Sequence, residues 1–303
     1  MQKGVIKGKE FTWHHFPELQ EKDFEILEKE FKFHPLDFDD LRNDLELSKL
    51  DVYKYYLFAI FNIPVFDKNT MRVGKRNLAV FISKDYIVTA TREPIESVDR
   101  FFARAKRSSG LKREAMGKTT GYFLYRLLDY IFRDAKVILH ELVREVNQVE
   151  EAVYDARTRV ATKRLGTVRR NVLFMQHVID PHRILITQIV NARKSYIGKD
   201  LGIYFDDVKD TLDSMWVVIN NLKSIVDGLF DVNEAFLSHR TNEIIRVLTV
   251  ISVILMPPTL ITGYYGMNVA DLPLGDSVGL VSGIVVLSIL ICLFVVIRVD
   301  RRK

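Results

Sequence analysis

Between Asp231 and Gly263, steps of three or four residues pick out Asp231, Ala235, Ser238, Asn242, Ile245, Leu248, Ser252, Met256, Thr259 and Gly263. On a helix these positions share one face. That face is small or polar for most of its length, with a few bulky apolar side chains between. Around a symmetry axis it would line a pore, and rings of Leu248 and Met256 would stop ions by dewetting. The other reading is a small-residue seam along which helices pack in a bilayer. Just beyond the stripe lies YYGMNVADLPLGDS (264–277), with Asp271 and Asp276 and no lysine or arginine. Two further carboxylate groups stand out: Asp37, Asp39 and Asp40 after Pro35, and Asp206 with Asp207 before the long helix. Acids in the first turn of a helix stabilise its dipole without any metal, and both groups fit that description.

The elements that carry these residues follow from the apolar patterning. Val247–Ala270 and Ser277–Ile297 are free of charged residues, and each is long enough to cross a hydrocarbon core of ~30 Å, which takes about 20 helical residues. Arg240 and Arg246 precede the first; Arg298, Arg301, Arg302 and Lys303 follow the second. The positive-inside bias predicts both termini in the cytoplasm and the acidic loop outside. The start, MQKGVIKGKEFTWHHF, has no apolar stretch, so no signal peptide is expected. Cys292, the single cysteine, lies in the second span and reads as packing. The net charge of +5 comes with no base-reading motif or basic–aromatic array, so no nucleic-acid partner is expected.

Residues 1–118 read as a cytoplasmic α/β domain. Tyr55–Phe66 and Asn77–Thr91 predict strands, with a polar stretch between them and a turn at SKD. Glu21–Phe33 predicts a helix, and another opens at HPLDFDDL with Pro35 near its start. Residues 119–246 read as long cytoplasmic helices that include a stalk. Apolar residues at Leu124, Leu128, Ile131, Ala135, Ile138, Leu142, Val146, Val149 and Val153 predict one amphipathic helix over 122–160. Gly166 predicts a turn, a second helix follows with a kink at Pro181, and Asp206 or Asp207 is expected to cap a third. With no strong breaker before Met256, that helix runs on into the first span, roughly 90 Å in all. Helices of this length usually bury a stripe against partners, so an oligomer is expected. The remaining parts are a first transmembrane helix over 247–265, an outer loop over 266–277, a second transmembrane helix over 278–298 and a basic cytoplasmic tail over 299–303.

Gly266-Met267-Asn268, preceded by Tyr265 at the outer end of the first of two C-terminal spans, resembles the signature of the CorA family of magnesium transporters. TNEIIRVLTVISVILMPPT and GYYGMN resemble the family's pore helix, and GLFDV (228–232) its stalk. The resemblance covers essentially the whole chain. It implies an α+β cytoplasmic domain, long α-helices and two transmembrane helices in a funnel-shaped homopentamer of the inner cell membrane. It implies a selectivity filter of Gly266, Met267 and Asn268. Magnesium sheds its water reluctantly, and neutral oxygens can hold the hydrated ion without trapping it. The resemblance further implies pore-lining positions at Asp231, Asn242, Leu248, Met256 and Thr259. Asp271 and Asp276 would then attract cations to the outer mouth. Asp40 and Asp207 match the two carboxylates of an inter-subunit regulatory metal site, with Asp39 and Asp206 near enough to assist. Loss of Mg2+ from that site would favour the open pore. The outer loop departs from the family's acidic MPEL form, having DLPL, and Pro257-Pro258 puts two prolines where one is usual.

The expected function is transport of Mg2+, with Co2+ and Ni2+ as surrogates, gated by intracellular Mg2+ and needing no organic cofactor. A zinc transporter of the same superfamily, with or without proton coupling, is the alternative. His14, His15, His34, His140, His177, His182 and His239 form no compact zinc motif. A non-conducting membrane scaffold or sensor is the reading from another class. No enzyme is expected: GKTTG (117–121) lacks the glycine spacing of a phosphate loop.

Overall fold

The computed structural model describes residues 3–42, 47–155, 158–192, 194–267 and 277–300. Two units follow from the chain's internal contacts, residues 1–230 and residues 231–303.

The first unit is built on a six-stranded sheet. Its strands are β1 (Gly4–Lys7), β2 (Thr12–Phe16), β3 (Lys49–Val52), β4 (Leu57–Asp67), β5 (Arg72–Ile82) and β6 (Tyr86–Thr91), in the order β1-β2-β6-β5-β4-β3. Among the described residues, only β2 and β6 pair in parallel. β4 is buried from Leu57 to Pro64 because both faces are covered. Phe58 and Ile60 join Ala79, Phe81, Val88 and Ala90 in one apolar cluster with α1 (Glu21–Glu30) and α2 (Pro35–Arg42). Phe33 stacks on Phe81 there, with ring centroids 3.8 Å apart. On the opposite face Phe61 stacks on His182, which belongs to α6 (Thr158–Asn191). Complete burial of an aromatic or aliphatic side chain stabilises by about 1.5–3 kcal/mol, and Phe58, Phe61 and Phe81 are all fully buried.

The expected hairpin is present, but Arg72–Arg76 belongs to β5 rather than to the connection. The turn is fixed from two sides. Asp67 accepts hydrogen bonds from Asn69 N and Thr70 Oγ1, an Asx-type turn. Asn171 of α6 donates to the carbonyl of Met71 and accepts from Val73 N, at 2.8 and 3.0 Å. That grip holds Met71 at φ 53°, a conformation uncommon for a side chain of this size. SKD turns where expected, with Ser83 N donating to Tyr86 O.

α3 (Glu96–Arg107) and α4 (Ser109–Met116) lead to α5 (Thr120–Tyr154). α5 buries Leu124, Leu128, Ile131, Ala135, Leu142, Val146, Val149 and Val153, the stripe read from spacing; Leu139 is buried where the stripe gave Ile138. The turn expected at Gly166 is not there. α6 runs unbroken through Gly166 and Pro181, and α5 ends at Asp155, which donates to Glu151 O. One interior glycine costs about 1 kcal/mol, and burial of Leu165 and Val168 beside it offsets that. A 3-10 turn, Lys199–Leu201, then leads into α7 (Gly202–Tyr265). Asp206 and Asp207 are therefore not its caps. The helix starts four residues before Asp206, because Leu201, Phe205 and Val208 pack at helical spacing.

In the second unit, α7 and α8 (Val278–Asp300) are both long and apolar enough to cross a membrane, and almost nothing of their apolar windows is buried within the chain.

Candidate functional site

α7 is exposed on all sides over residues 234–249 and gains partial burial only farther along. The half-buried and buried positions Ile254, Pro258, Ile261 and Tyr265 recur at steps of four, three and four. They form one packed stripe. Asp231, Ala235, Ser238, Asn242, Ile245, Leu248, Ser252, Met256, Thr259 and Gly263 are all exposed, Leu248 at 59% and Met256 at 69%. Most other side chains of this stretch, Ile251, Val253, Leu255 and Leu260 among them, are exposed as well. A shallow groove follows its outer part past Ser252, Met256, Thr259 and Gly263 to Met267.

The hydroxyls on this helix are tied to its own backbone. Thr249 donates to Ile245 O at 2.8 Å, Ser252 to Leu248 O at 2.9 Å and Thr259 to Leu255 O at 2.7 Å. The hydroxyl proton is committed, so the oxygen turns its remaining lone pairs outward. Such oxygens can accept from the waters around a cation. Pro257 and Pro258 lie inside the helix. Neither has an amide hydrogen, so the carbonyls of Val253 and Ile254 lose their i+4 donors.

The helix closes at Gly266, whose N–H donates to Thr262 O at 2.9 Å, and Met267 N donates to Tyr264 O at 3.3 Å. A Cβ on Gly266 would lie 2.9 Å from Thr262 O. The glycine is needed at least for this close approach within the helix end. Asn268, Asp271 and Asp276 lie outside the described residues.

The two carboxylate groups expected to bind metal have separate surroundings in the chain. Asp37, Asp40 and Asp51 offer oxygens within 4.8 Å of one another. Asp37 is buried and accepts from Tyr53 Oη and Tyr56 Oη, both at 2.6 Å. Burial raises its pKa, and the tyrosine hydrogen bonds oppose that. The same contact, together with burial, pushes both tyrosines well above the usual phenol range. Lys49 Nζ lies 2.5 Å from Asp40 and 3.2 Å from Asp51, so an ammonium already neutralises part of the cluster. Asp39 is exposed and 3.9 Å from Arg42. Asp206 and Asp207 are exposed on α7, and Asp207 acts electrostatically on Tyr125 and Arg133 of α5. Sequence reasoning missed Lys49 and Asp51. The signal for them was weak: alternating charge in KLDV, on a strand too short to stand out.

Residues 8–302 match the family model described as CorA-like Mg2+ transporter protein. The chain belongs to that family. It is 28% identical to the cobalt/magnesium transport protein CorA of Thermotoga maritima over 80% of this chain and 68% of that protein. The solved CorA magnesium transporter of Methanocaldococcus jannaschii superposes with a TM-score of 0.78 at 17% identity, covering 97% of this chain and 92% of that one. The zinc transport protein ZntB of Photorhabdus laumondii is 17% identical over 64% of this chain and 57% of its own length. The CorA-like fold therefore holds along this chain: an α+β domain, long helices and two apolar C-terminal helices. The family is one of membrane transporters.

Proposed function

We propose that the chain transports Mg2+ through a homopentameric pore lined by the exposed stripe of α7. The observation that supports this is the match of residues 8–302 to the family of Mg2+ transporters, together with an exposed line of small and polar residues along α7. Both termini are cytoplasmic, in an inner cell membrane. Asp271 and Asp276 raise the local cation concentration at the outer mouth, an attraction that salt weakens. Gly266, Met267 and Asn268 form the filter, where neutral oxygens hydrogen-bond the hydrated ion. Thr259, Ser252 and Asn242 then pass its water shell inward, and rings of Met256 and Leu248 close the path by dewetting when the helices draw together. Asp231 forms an acidic inner ring. Co2+ and Ni2+, of similar charge and size, follow the same path.

Intracellular Mg2+ acts as the regulatory ligand. Bridging Asp40 of one protomer and Asp207 of the next, with help from Asp39 and Asp206, it removes carboxylate repulsion and favours the closed state. In this protomer Asp40 carries Lys49, so the ion must displace or share that ammonium.

The test is ion flux into proteoliposomes, for Mg2+ and Zn2+ separately, with Mg2+ present or absent on the cytoplasmic side. Asn268→Ala should abolish Mg2+ flux, and the pair Asp40→Ala with Asp207→Ala should relieve inhibition by Mg2+. Zinc flux that depends on a proton gradient, with little Mg2+ flux, would replace this reading. No flux from an assembled oligomer would end both.

A further inference from the structure

Far along the chain from the pore stripe, the end of β1 converges on α4. Lys7 and Lys9 flank Gly8; Lys112 and Arg113 lie on α4; Lys118 lies in the connection to α5. Together they wall a cavity of about 800 Å³. Its one carboxylate, Glu114, is 2.8 Å from Arg126 and so is already engaged. Among the described residues, none of the five cations lies within 4.0 Å of a carboxylate. Two glycines allow the convergence. A Cβ on Gly8 would sit 2.8 Å from Phe11 O and 3.2 Å from Met116 O, and one on Gly117 would sit 2.3 Å from Arg113 O. Like charges gathered in a concave wall raise its potential and draw anions. Lysine and arginine are the usual binders of phosphoryl oxygens.

A second cavity, of about 870 Å³, shares Gly117, Lys118 and Tyr122 with the first. Its character is different. Tyr122 and Tyr204 stand perpendicular with centroids 5.3 Å apart. Lys118 Nζ lies 4.2 Å from the Tyr122 centroid and 5.7 Å from that of Tyr204. Glu10, Lys84, Asp85 and Asp200 also line it. The carboxylates accept from hydroxyl or amine donors, while Tyr204, half-buried, offers its ring to a flat ligand.

We propose that the two cavities form one binding site for an organic polyphosphate of the nucleoside di- or triphosphate class. The phosphoryl groups rest on Lys7, Lys9, Lys112 and Arg113. The ring sits against Tyr204, and Lys118 stands at the junction.

The test uses the full chain in neutral detergent micelles without anionic lipid, with EDTA present so that the nucleotide does not compete for Mg2+. ATP and inorganic tripolyphosphate are titrated by calorimetry at low and at moderate salt. Saturable ATP binding is expected, weakening as salt rises and falling at least about tenfold in the pair Lys112→Glu with Arg113→Glu. ATP should bind more tightly than tripolyphosphate by about fivefold or more, and Tyr204→Ala should erase that difference. Arg113 is exposed and Lys112 half-exposed, so the charge reversals leave the core untouched; an unchanged melting temperature verifies this. Absence of saturable ATP binding at low salt would overturn the proposal. So would equal ATP affinity in the charge-reversed pair, or equal affinity for ATP and tripolyphosphate in the unmodified chain.

Discussion

The two units solve the same problem, what to do with polar groups near apolar ones, in opposite ways. In residues 1–230 most apolar side chains are inside, and several buried polar groups find distant partners. His15 bonds Thr89 at 2.9 Å and Asp99 at 3.0 Å; Asp37 takes two tyrosine hydroxyls; Asn171 clamps a hairpin. In residues 231–303 the apolar side chains are outside. The hydroxyls of Thr249, Ser252, Thr259, Thr262 and Ser288 bond carbonyls three or four residues back on their own helix. Water solvates one unit, so its polar groups can afford long-range specificity. The apolar helices of the other are long enough to cross a membrane, and in lipid each helix must satisfy its own polar groups before it meets a partner.

The contrast can be broken first at the core. Phe81→Ala, which removes a ring stacked on Phe33 and packed 4.6 Å from Phe58, should destabilise the first unit by about 3–5 kcal/mol in chemical denaturation. A much smaller loss would mean that the sheet's aromatic layer is not its main support.

A slightly smaller effect is expected from pH. His182 is fully buried, and burial pushes its imidazole down to about 4. The unfolded chain takes up a proton near the ordinary value of 6.5, whereas the folded one refuses it until about 4. Stability from this group is complete above pH 6.5 and is lost as pH falls towards 4, by up to about 3 kcal/mol. His14, also lowered by burial, has the same sign. Urea melts between pH 7 and 4 should show this slope, and His182→Gln should flatten it.

Asp37→Asn sharpens the comparison at one polar group. The amide nitrogen cannot accept, so one tyrosine hydroxyl loses its partner, at a cost of about 1–3 kcal/mol. Tyr53→Phe in the same background should recover part of that cost if the amide nitrogen faces Tyr53.

Lys49→Met tests the link from this cluster to transport. With the ammonium gone from Asp40, cytoplasmic Mg2+ should inhibit flux at a concentration lower by about threefold to tenfold, a change of about 1 kcal/mol. Inhibition at an unchanged concentration would separate the cluster from gating.

The smallest effect belongs to the membrane unit. Ser252→Ala removes a hydroxyl that serves only its own helix. It should shift stability in detergent by no more than about 0.5 kcal/mol. A large loss would show that Ser252 bonds a neighbour rather than itself.

Several parts of this protein could be read without coordinates, because they are periodic and local. The α5 stripe, the α7 stripe and the two apolar runs each repeat a helical or hydrocarbon-length pattern, and the backbone must obey it whatever surrounds it. The family itself was legible by resemblance. The failures were equally physical. Gly166 looked like a break, but buried neighbours outweigh one glycine's cost. Asp206 and Asp207 looked like caps, but the packing of Leu201 and Phe205 starts the helix earlier. β2 pairs in parallel with β6, which follows it by more than sixty residues in the chain, and nothing local announces such a partner. The same holds for Asp40. Its carboxylate could be seen in the sequence, but Lys49 reaches it only because β3 lies along the sheet edge beside α2. Period and composition set which face of each helix is polar and which segments are lipid-soluble. Tertiary packing decided which charges meet, because contacts between residues far apart in sequence depend on how the sheet is ordered.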